Sequence, residues 1–530
     1  MTHGDTVQDT VLILGLGESG LAMARWCARA GARVRVWDSR EAPPQAEALA
    51  RELPVAERLS GELRLEALNE ALEGVTLVLK SPGLAPYDPR IAPLTQEARV
   101  RDIPVQGELD VFVRALAELK NARGYAPQLL AVTGTNGKTT TTAMTALLVE
   151  RAGRRVGLAG NIGPTLLDTL AAALAEDKLP EVWVLELSSF QLEGGGTGVN
   201  WIQGIAPAAA AVLNVTQDHL DWHGSMAAYA AAKARIFGPP GAPGAMVLNR
   251  DDPLVEAMAP VTAAAAAAPA RGKAKAATPA RPVLRFGLQA PERPGDFGLV
   301  VENGMAWLVR ALPTDETVKA KPGEAIELHL QRLMPADALR VRGRHNAANA
   351  LAALALATAI GCPLAPMLHG LREYAGEPHR VQWVATVGEV EAYDDSKGTN
   401  VGATVAALEG LGADKAPAKL VVILGGEGKG QDFAPLAAPV QQHARAVATI
   451  GRDAAAIAAA LAEAVAAGVT LQQHETLEAA TRWCFAQARP GDAVLLSPAC
   501  ASLDMFRHYA HRAEVFVQAV QALAQERGAV

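Results

Sequence analysis

The chain has 530 residues, half of them hydrophobic, and a formal charge of −7. Such a length suits about three or four domains with large cores, and the mild acidity argues against non-specific binding of nucleic acid. Cys27, Cys362, Cys484 and Cys500 lie far apart with no C-x-x-C pair, which speaks against a zinc knuckle or a disulfide framework and fits a reducing compartment. The N-terminal MTHGDTVQDT is polar and no stretch is apolar for long enough to span a bilayer. The expectation is a cytoplasmic protein with no membrane or nucleic-acid partner.

The first unit opens with TVLILGLGESGLAMARWCARAGARVRVWDSR. An apolar strand runs into Gly15-x-Gly17-x-x-Gly20, a helix follows, and a second strand ends at Asp38. This is the pattern of a mononucleotide-binding βαβ unit. The frame fits NAD, with the acid on a ribose hydroxyl, and equally a UDP-sugar; no residues for hydride transfer favour NAD. The strand VTLVLKSPG ends in a Ser81-Pro82-Gly83 turn. The α/β pattern fades over about 117–128, which reads as a linker.

The second unit begins with LLAVT and then Gly134-Thr135-Asn136-Gly137-Lys138-Thr139, two residues shorter than the usual G-x-x-x-x-G-K-(S/T). Its physics survives the shortening. Glycines let backbone N–H groups face phosphates, and a helix N-terminus adds a positive dipole end. Lys138 can reach β/γ oxygens, and the Thr139 hydroxyl can ligate Mg²⁺. An ordinary strand–turn–helix junction would leave the lysine without a use. The strands EVWVLELSS and AAAAVLNVT follow, and such apolar runs indicate a parallel sheet covered on both faces. Glu186 ends the first of these, well placed to hold Mg²⁺ directly or through water. NVTQDHLDWHG sets Asp218, His219, Asp221 and His223 close together, as a metal site or as a polar loop with capping acids. Lys233, in the helix SMAAYAAAKARIFG, reads locally as an ordinary solvated lysine. Residues 261–282 are low in complexity, rich in Ala, Pro, Lys and Arg, and read as a surface insertion. LRVRGRHNAANALAALALATAIG then reads as an amphipathic helix.

The third unit begins around YAGEPHRVQWV and is again α/β with a mainly parallel sheet. DDSKGTN, LGGEGKGQDF and LSPACASLDMF each follow an apolar strand. Lys397, Lys429, Ser502 and nearby N–H groups can grip carboxylates there, or these are simply polar turns.

In this order the motifs resemble the Mur ligase family of bacterial cell-wall synthesis, over nearly the whole chain. ELSSFQLE (186–193), DSKGTN and SPACASLDMF are similar to the branch that adds D-glutamate. The resemblance implies three α/β domains: a Rossmann-like UDP-binding domain at 1–120, a P-loop ATP-binding domain at 121–376, and a Rossmann-like, amino-acid-binding domain at 377–530. It implies an ATP-dependent carbon–nitrogen ligase of peptidoglycan precursor synthesis, and so of cell shape and division. D-glutamate would join the L-alanine carboxylate of UDP-N-acetylmuramoyl-L-alanine through an acyl phosphate, giving ADP and phosphate, with two Mg²⁺ (or Mn²⁺) sites in a monomer.

Residue roles come with the resemblance. Glu18, Ser19, Asp38, Ser39, Arg40, Ser81, Pro82 and Gly83 would hold the UDP part. Asn161 in AGNIG, Ser188 and Gln191 would meet the muramoyl part. Gly134, Thr135, Asn136, Gly137, Lys138, Thr139 and Thr140 would hold the triphosphate, and Asn346, Asn349, Arg380 and Asp395 the rest of ATP. Thr139, Glu186, His219 and Lys233, the last as a carbamate, would hold metal, with His219 also able to orient or deprotonate the amine. Thr399, Lys429, Ser502, Leu503 and Tyr509 would position D-glutamate, with Lys397 nearby. Two departures are Thr139 where some members have Ser and Tyr509 where Phe is common. A folylpolyglutamate-type ligase shares the loop and the carbamate logic, but the UDP-type first unit speaks against it. An NAD-dependent oxidoreductase leaves the central loop unexplained.

Overall fold

Short leucine- and valine-rich runs, each leaving through a polar turn into a helix, build three open sheets, as their alternation requires. The computed structural model describes residues 9–62, 65–196, 198–199, 201–202, 205–239, 241–260, 281–315, 326–341 and 343–526. The first sheet has five parallel strands in the order Glu57–Ser60, Arg33–Asp38, Thr10–Leu14, Val75–Lys80, Val105–Gln106. The strand order reverses at Thr10–Leu14. The turns after this strand and after Val75–Lys80 therefore flank a crevice at the carboxyl edge, where open α/β sheets bind ligands.

The second sheet is parallel throughout, in the order Val283–Phe286, Ala245–Asn249, Ala209–Val212, Gln128–Thr133, Val182–Glu186, Val156–Gly160. Gln128–Thr133 lies between Ala209–Val212 and Val182–Glu186. The glycine loop, Glu186 and the 213–219 segment thus leave neighbouring strands at one edge. In the third sheet Gln382–Val387 is an antiparallel edge strand. Val390–Asp394, Ala493–Leu496, Leu420–Gly425, Ala444–Ile450 and Thr470–Gln473 continue it in parallel. Among the described residues no helix is long and apolar enough to cross a membrane.

The linker expected at 117–128 is largely helix. Glu108–Arg123 runs through most of it and stops at Gly124, whose φ of 68° is the left-handed helix end that glycine adopts freely. The helix is held from both sides. Phe112 packs edge-on to Trp183 of the second sheet at 5.1 Å, and the Trp183 indole donates to the Tyr125 hydroxyl at 2.9 Å. An aromatic pair of this kind adds about 0.5–1.5 kcal/mol beyond the area it buries.

The expected amphipathic helix also differs. Its helical part is Arg344–Ala359, and Ala350 to Ala357 are all fully buried. One side meets the helix Lys138–Arg151 and another meets strands of the second sheet, so it has no wet face. A three-stranded antiparallel sheet, Phe297–Glu302, Met305–Pro313 and Leu328–Pro335, covers it further and was not foreseen. The burial along its strands alternates only weakly, so the period-2 signal is faint. Of the insertion read at 261–282, residues 261–280 lie outside the described residues.

Candidate active site

The loop after Gln128–Thr133 is fixed by backbone. Thr135 N–H donates to Asn214 O at 2.9 Å and Asn136 N–H to Asn214 Oδ1 at 2.8 Å. Gly137, at φ 79°, turns the chain into the helix Lys138–Arg151, and a Cβ there would lie 2.5 Å from Asn349 Oδ1. Thr139 to Thr142 are buried in the first turns; Thr141 Oγ1 bonds Asn349 Oδ1 at 3.2 Å. Lys138 Nζ donates to Gly134 O at 2.9 Å and Thr135 O at 2.8 Å. Burial lowers its pKa, partly offset by the charge of Glu186.

Lys233 corrects its local reading. It is 1% exposed, it donates to the same Gly134 O at 2.8 Å, and its Nζ lies 4.3 Å from the centre of the Tyr229 ring. Burial, then the neighbouring Lys138, drives its pKa well below the usual lysine value, against the pull of Asp218. Glu186 is 1% exposed. Its Oε1 accepts from Asn161 Nδ2 at 2.7 Å, while Oε2 is buried without a hydrogen-bond partner. A bare buried carboxylate oxygen suits a cation, and with the Thr139 hydroxyl it offers the hard oxygen donors that Mg²⁺ or Mn²⁺ takes.

The four polar residues of 218–223 do not converge. His219 sits in the left-handed region at φ 52°, with Nε2 3.5 Å from Asp218 Oδ2 and its ring edge-on to Phe190. Burial lowers its pKa, Asp218 opposing. His223 turns away, bonding Ser189 Oγ at 3.0 Å, and burial holds its pKa at about 4. Asp221 is exposed, and its carbonyl accepts from Tyr87 at 3.1 Å. Among the described residues no three His, Cys, Asp or Glu side chains form a metal cage. Ser188 and Gln191 bond each other as a capping box on the helix Ser189–Glu193, with Gln191 N–H on Ser188 Oγ at 3.2 Å.

The third sheet closes on this edge. Arg380 Nη2 donates to Thr139 Oγ1 at 2.7 Å, and the side-chain amides of Asn136 and Asn400 exchange hydrogen bonds of 3.2 and 3.0 Å. Between the two units lies a cavity of about 300 Å³ whose lining includes Gly137, Thr140, Asn346, Asn349, Arg380 and Asp395. Burial raises the Asp395 carboxyl to about 7, although Ser497 Oγ donates to it at 2.6 Å.

A second cleft, of about 470 Å³, lies at the carboxyl edge of the first sheet. It gathers Glu18, Ser19, Asp38, Ser39, Arg40, Ser81, Pro82 and Gly83, with Gly15 and Gly17. Asp38 accepts from Leu16 N–H at 2.8 Å and from Arg40 Nη2 at 2.8 Å. Burial alone would raise its pKa; the Arg40 guanidinium and the two amides outweigh it and hold the carboxyl at about 2. Asp38 thus stays ionised and fixes the loop. Sequence reasoning missed Trp37, Leu84 and Arg90, which also line this cleft. It missed Lys80 too, a 1%-exposed lysine that donates to Leu84 O at 2.6 Å.

At the far side, Lys397 lies 5.5 Å from the centre of the Tyr509 ring, and burial, then Arg380, lowers its pKa. Ser502 is buried, Thr399 half-buried, and Lys429 and Leu503 exposed. The fully buried Arg512 ties their loops together, donating to Ser396 O at 2.8 Å and Cys500 O at 3.1 Å. Nothing local marks it, because it sits in a helix among ordinary residues.

Three segments match family descriptions: residues 9–107 the MurD-like N-terminal domain of Mur ligases, 132–279 the Mur ligase middle domain, and 379–500 the Mur ligase glutamate ligase domain. The chain is 60% identical to the UDP-N-acetylmuramoylalanine–D-glutamate ligase of Albidiferax ferrireducens, over 98% of this chain and 97% of that one. It is 56% identical to the protein of that name from Burkholderia mallei, over 99% of each. Among solved structures it resembles the UDP-N-acetylmuramate–alanine ligase of Thermotoga maritima, with a TM-score of 0.55 at 20% identity, covering 97% of this chain and 99% of that one. The MurF ligase of Thermotoga maritima in complex with ADP also gives 0.55, at 16% identity over 98% and 96%. These last two likenesses speak for the fold alone, and the two curated relatives speak for more: with its glycine loop, its three sheets and its order of segments, the chain belongs to the Mur ligase family.

Proposed function

We propose that the chain joins the amine of D-glutamate to the L-alanine carboxylate of UDP-N-acetylmuramoyl-L-alanine, using ATP. The observation that carries the site assignment is one shared oxygen. Two lysines, the half-buried Lys138 and the fully buried Lys233, both donate to Gly134 O at the glycine loop, at 2.9 and 2.8 Å. Two lysine nitrogens held at a helix N-terminus, beside the uncompensated Glu186 oxygen, are a setting for phosphoryl transfer.

The first-sheet cleft takes the UDP part, through Glu18, Ser19, Asp38, Ser39, Arg40 and the Ser81–Gly83 turn. Asn161, Ser188 and Gln191 lie along the muramoyl part. Gly134 to Gly137, Lys138, Thr139 and Thr140 cradle the triphosphate, and Asn346, Asn349, Arg380 and Asp395 hold the remainder of ATP between two units. Thr139, Glu186, His219 and Lys233 as a carbamate are the residues that would hold Mg²⁺ or Mn²⁺. Bound there, the cation neutralises charge on the phosphates.

A carboxylate is a poor acylating agent. The L-alanine carboxylate oxygen attacks the γ-phosphorus, the bond to ADP breaks, and an acyl phosphate forms. Lys138 offsets the charge that grows on the transferring group. The D-glutamate amine then attacks the acyl carbon, loses a proton, and expels phosphate from a tetrahedral intermediate. His219, kept largely neutral by burial, is able to take that proton or orient the amine. Lys397, Lys429, Thr399, Ser502, Leu503 and Tyr509 fix the D-glutamate carboxylates and stem. Contacts such as Arg380 to Thr139 draw the third unit over the site and exclude water from the acyl phosphate.

Phosphate release from ATP with the UDP-muramoyl-L-alanine substrate tests this reading. It should require D-glutamate and fall at least about a hundredfold with L-glutamate or other amino acids. Equal rates with L-glutamate, or release independent of the UDP substrate, would overturn it.

A further inference from the structure

One ammonium stands in the seam between the first two units. Lys80 ends the strand Val75–Lys80 and is 1% exposed. Its Nζ donates to Leu84 O at 2.6 Å and to Ser81 O at 3.3 Å, both in the turn that lines the first-sheet cleft. The same Nζ lies 5.8 Å from the centre of the Trp222 ring, in the helix Leu220–His223 of the second unit. A cation at that distance from an indole ring is attracted to it. The Trp222 indole donates to Glu193 Oε2 at 2.9 Å, and the charge of this carboxylate favours the ammonium.

The turn is closed without Lys80. Ser81 N–H donates to Leu14 O at 2.9 Å, Leu84 N–H to Ser81 O at 3.2 Å, and Ser81 Oγ to Gly15 O at 3.0 Å. What the ammonium adds is a link to the second unit, and burial opposes its charge, pulling its pKa down to about 8. A second link lies close in the chain, where the Tyr87 hydroxyl donates to Asp221 O at 3.1 Å. Beyond Trp222 the packing continues inward. The ring centres of Trp222 and Phe190 are 4.0 Å apart, and those of Phe190 and His219 are 4.7 Å apart. The turn of the first-sheet cleft and His219 are thus two ends of one row of contacts, through Lys80, Trp222 and Phe190.

We propose that Lys80 is a positioning residue that holds the first-sheet cleft in register with the phosphoryl-transfer site, through Trp222. The UDP-linked substrate lies across both units, its diphosphate in the cleft and its L-alanine carboxylate at the glycine loop. Anchored at one end, it brings the other to a fixed place only if the two sites keep their separation. A misplacement of about 1 Å can cost about a hundredfold in rate. A ligand that fills the cleft alone is indifferent to that separation. An ammonium suits the position better than an apolar side chain, because carbonyl oxygens on one unit and an aromatic ring on the other both attract it. The inference rests on the UDP-binding reading given above.

The experiment compares wild type, Lys80→Met, Trp222→Leu and the double variant. It measures kcat/KM for the UDP substrate, KM for ATP, and the Kd of UDP alone by calorimetry. Methionine keeps most of the lysine stem and removes the charge. Lys80→Met should lose about tenfold to a hundredfold in kcat/KM for the UDP substrate. Its Kd for UDP and its KM for ATP should stay within about twofold of wild type. In the Trp222→Leu background the same change should cost less than about threefold, because the link is already broken. Equal losses in UDP affinity and in ligation would make Lys80 a prop of the cleft alone and overturn the proposal. So would an unchanged kcat/KM, or a loss in the Trp222→Leu background as large as in wild type. If Lys80→Met fails to fold, Lys80→Gln, which still donates a hydrogen bond but carries no charge, takes its place with the same expected losses. Wild type that does not bind UDP, or does not ligate, would instead overturn the functional reading.

Discussion

Replacing Lys138 by alanine is expected to reduce ATP-dependent ligation by about a thousandfold or more, the scale on which removal of a charge-stabilising group acts in phosphoryl transfer. Lys138 opens the helix after the glycine loop, and its Nζ already lies against Gly134 O and Thr135 O. A γ-phosphate at that helix end would meet this side chain, with the Arg380 guanidinium on Thr139 close by. The UDP substrate rests in a different cleft, so its Kd should stay within about twofold of wild type. Single-turnover phosphate release and a separate titration of the UDP substrate provide the check. A near-wild-type rate in Lys138→Ala would remove the loop from the chemistry.

Lys233→Ala should be nearly inactive, and short-chain carboxylic acids should partly restore it. The argument begins with burial. A lysine driven far below its usual pKa carries a neutral amine, and only that form attacks CO₂. The nitrogen bonds the carbon of CO₂, one proton leaves, and a neutral amine becomes an anionic oxygen donor at the glycine loop. Truncation removes both the carbamate and the side chain, leaving room beside Tyr229 for formate or acetate to supply the oxygens. The expected loss is about a hundredfold or more, with recovery that saturates with added acid. Full activity in Lys233→Ala contradicts the carbamate. A dead variant that no acid rescues, while its Tm stays that of wild type, contradicts it as well.

The glycine loop and Glu186 were legible because each sits at the end of an apolar strand. A strand of that kind fixes its own position in a parallel sheet, and with it the direction of the residue that follows. The first cleft was legible for the same reason, and the structure brings its eight expected residues together. Lys233 was not. Its burial is set by Tyr229 and by Gly134, which lies 99 residues away in the chain, and an alanine-rich helix says nothing about either. His219 and His223 look equivalent in sequence, yet one sits beside Asp218 and edge-on to Phe190 and the other is turned into Ser189 and Glu193. The Arg344–Ala359 helix misled because its polar residues cluster at the N-terminal end, while the rest is apolar all round.

The central claim is that this site activates a carboxylate by phosphorylating it. An oxygen label follows that step directly. With both oxygens of the L-alanine carboxylate as ¹⁸O, the acyl phosphate carries one of them in its bridge, and attack by D-glutamate sends that oxygen away with phosphorus. The account predicts phosphate containing one ¹⁸O per amide formed, measured by mass spectrometry or by the ³¹P isotope shift. Unlabelled phosphate beside a fully labelled amide precursor would contradict it.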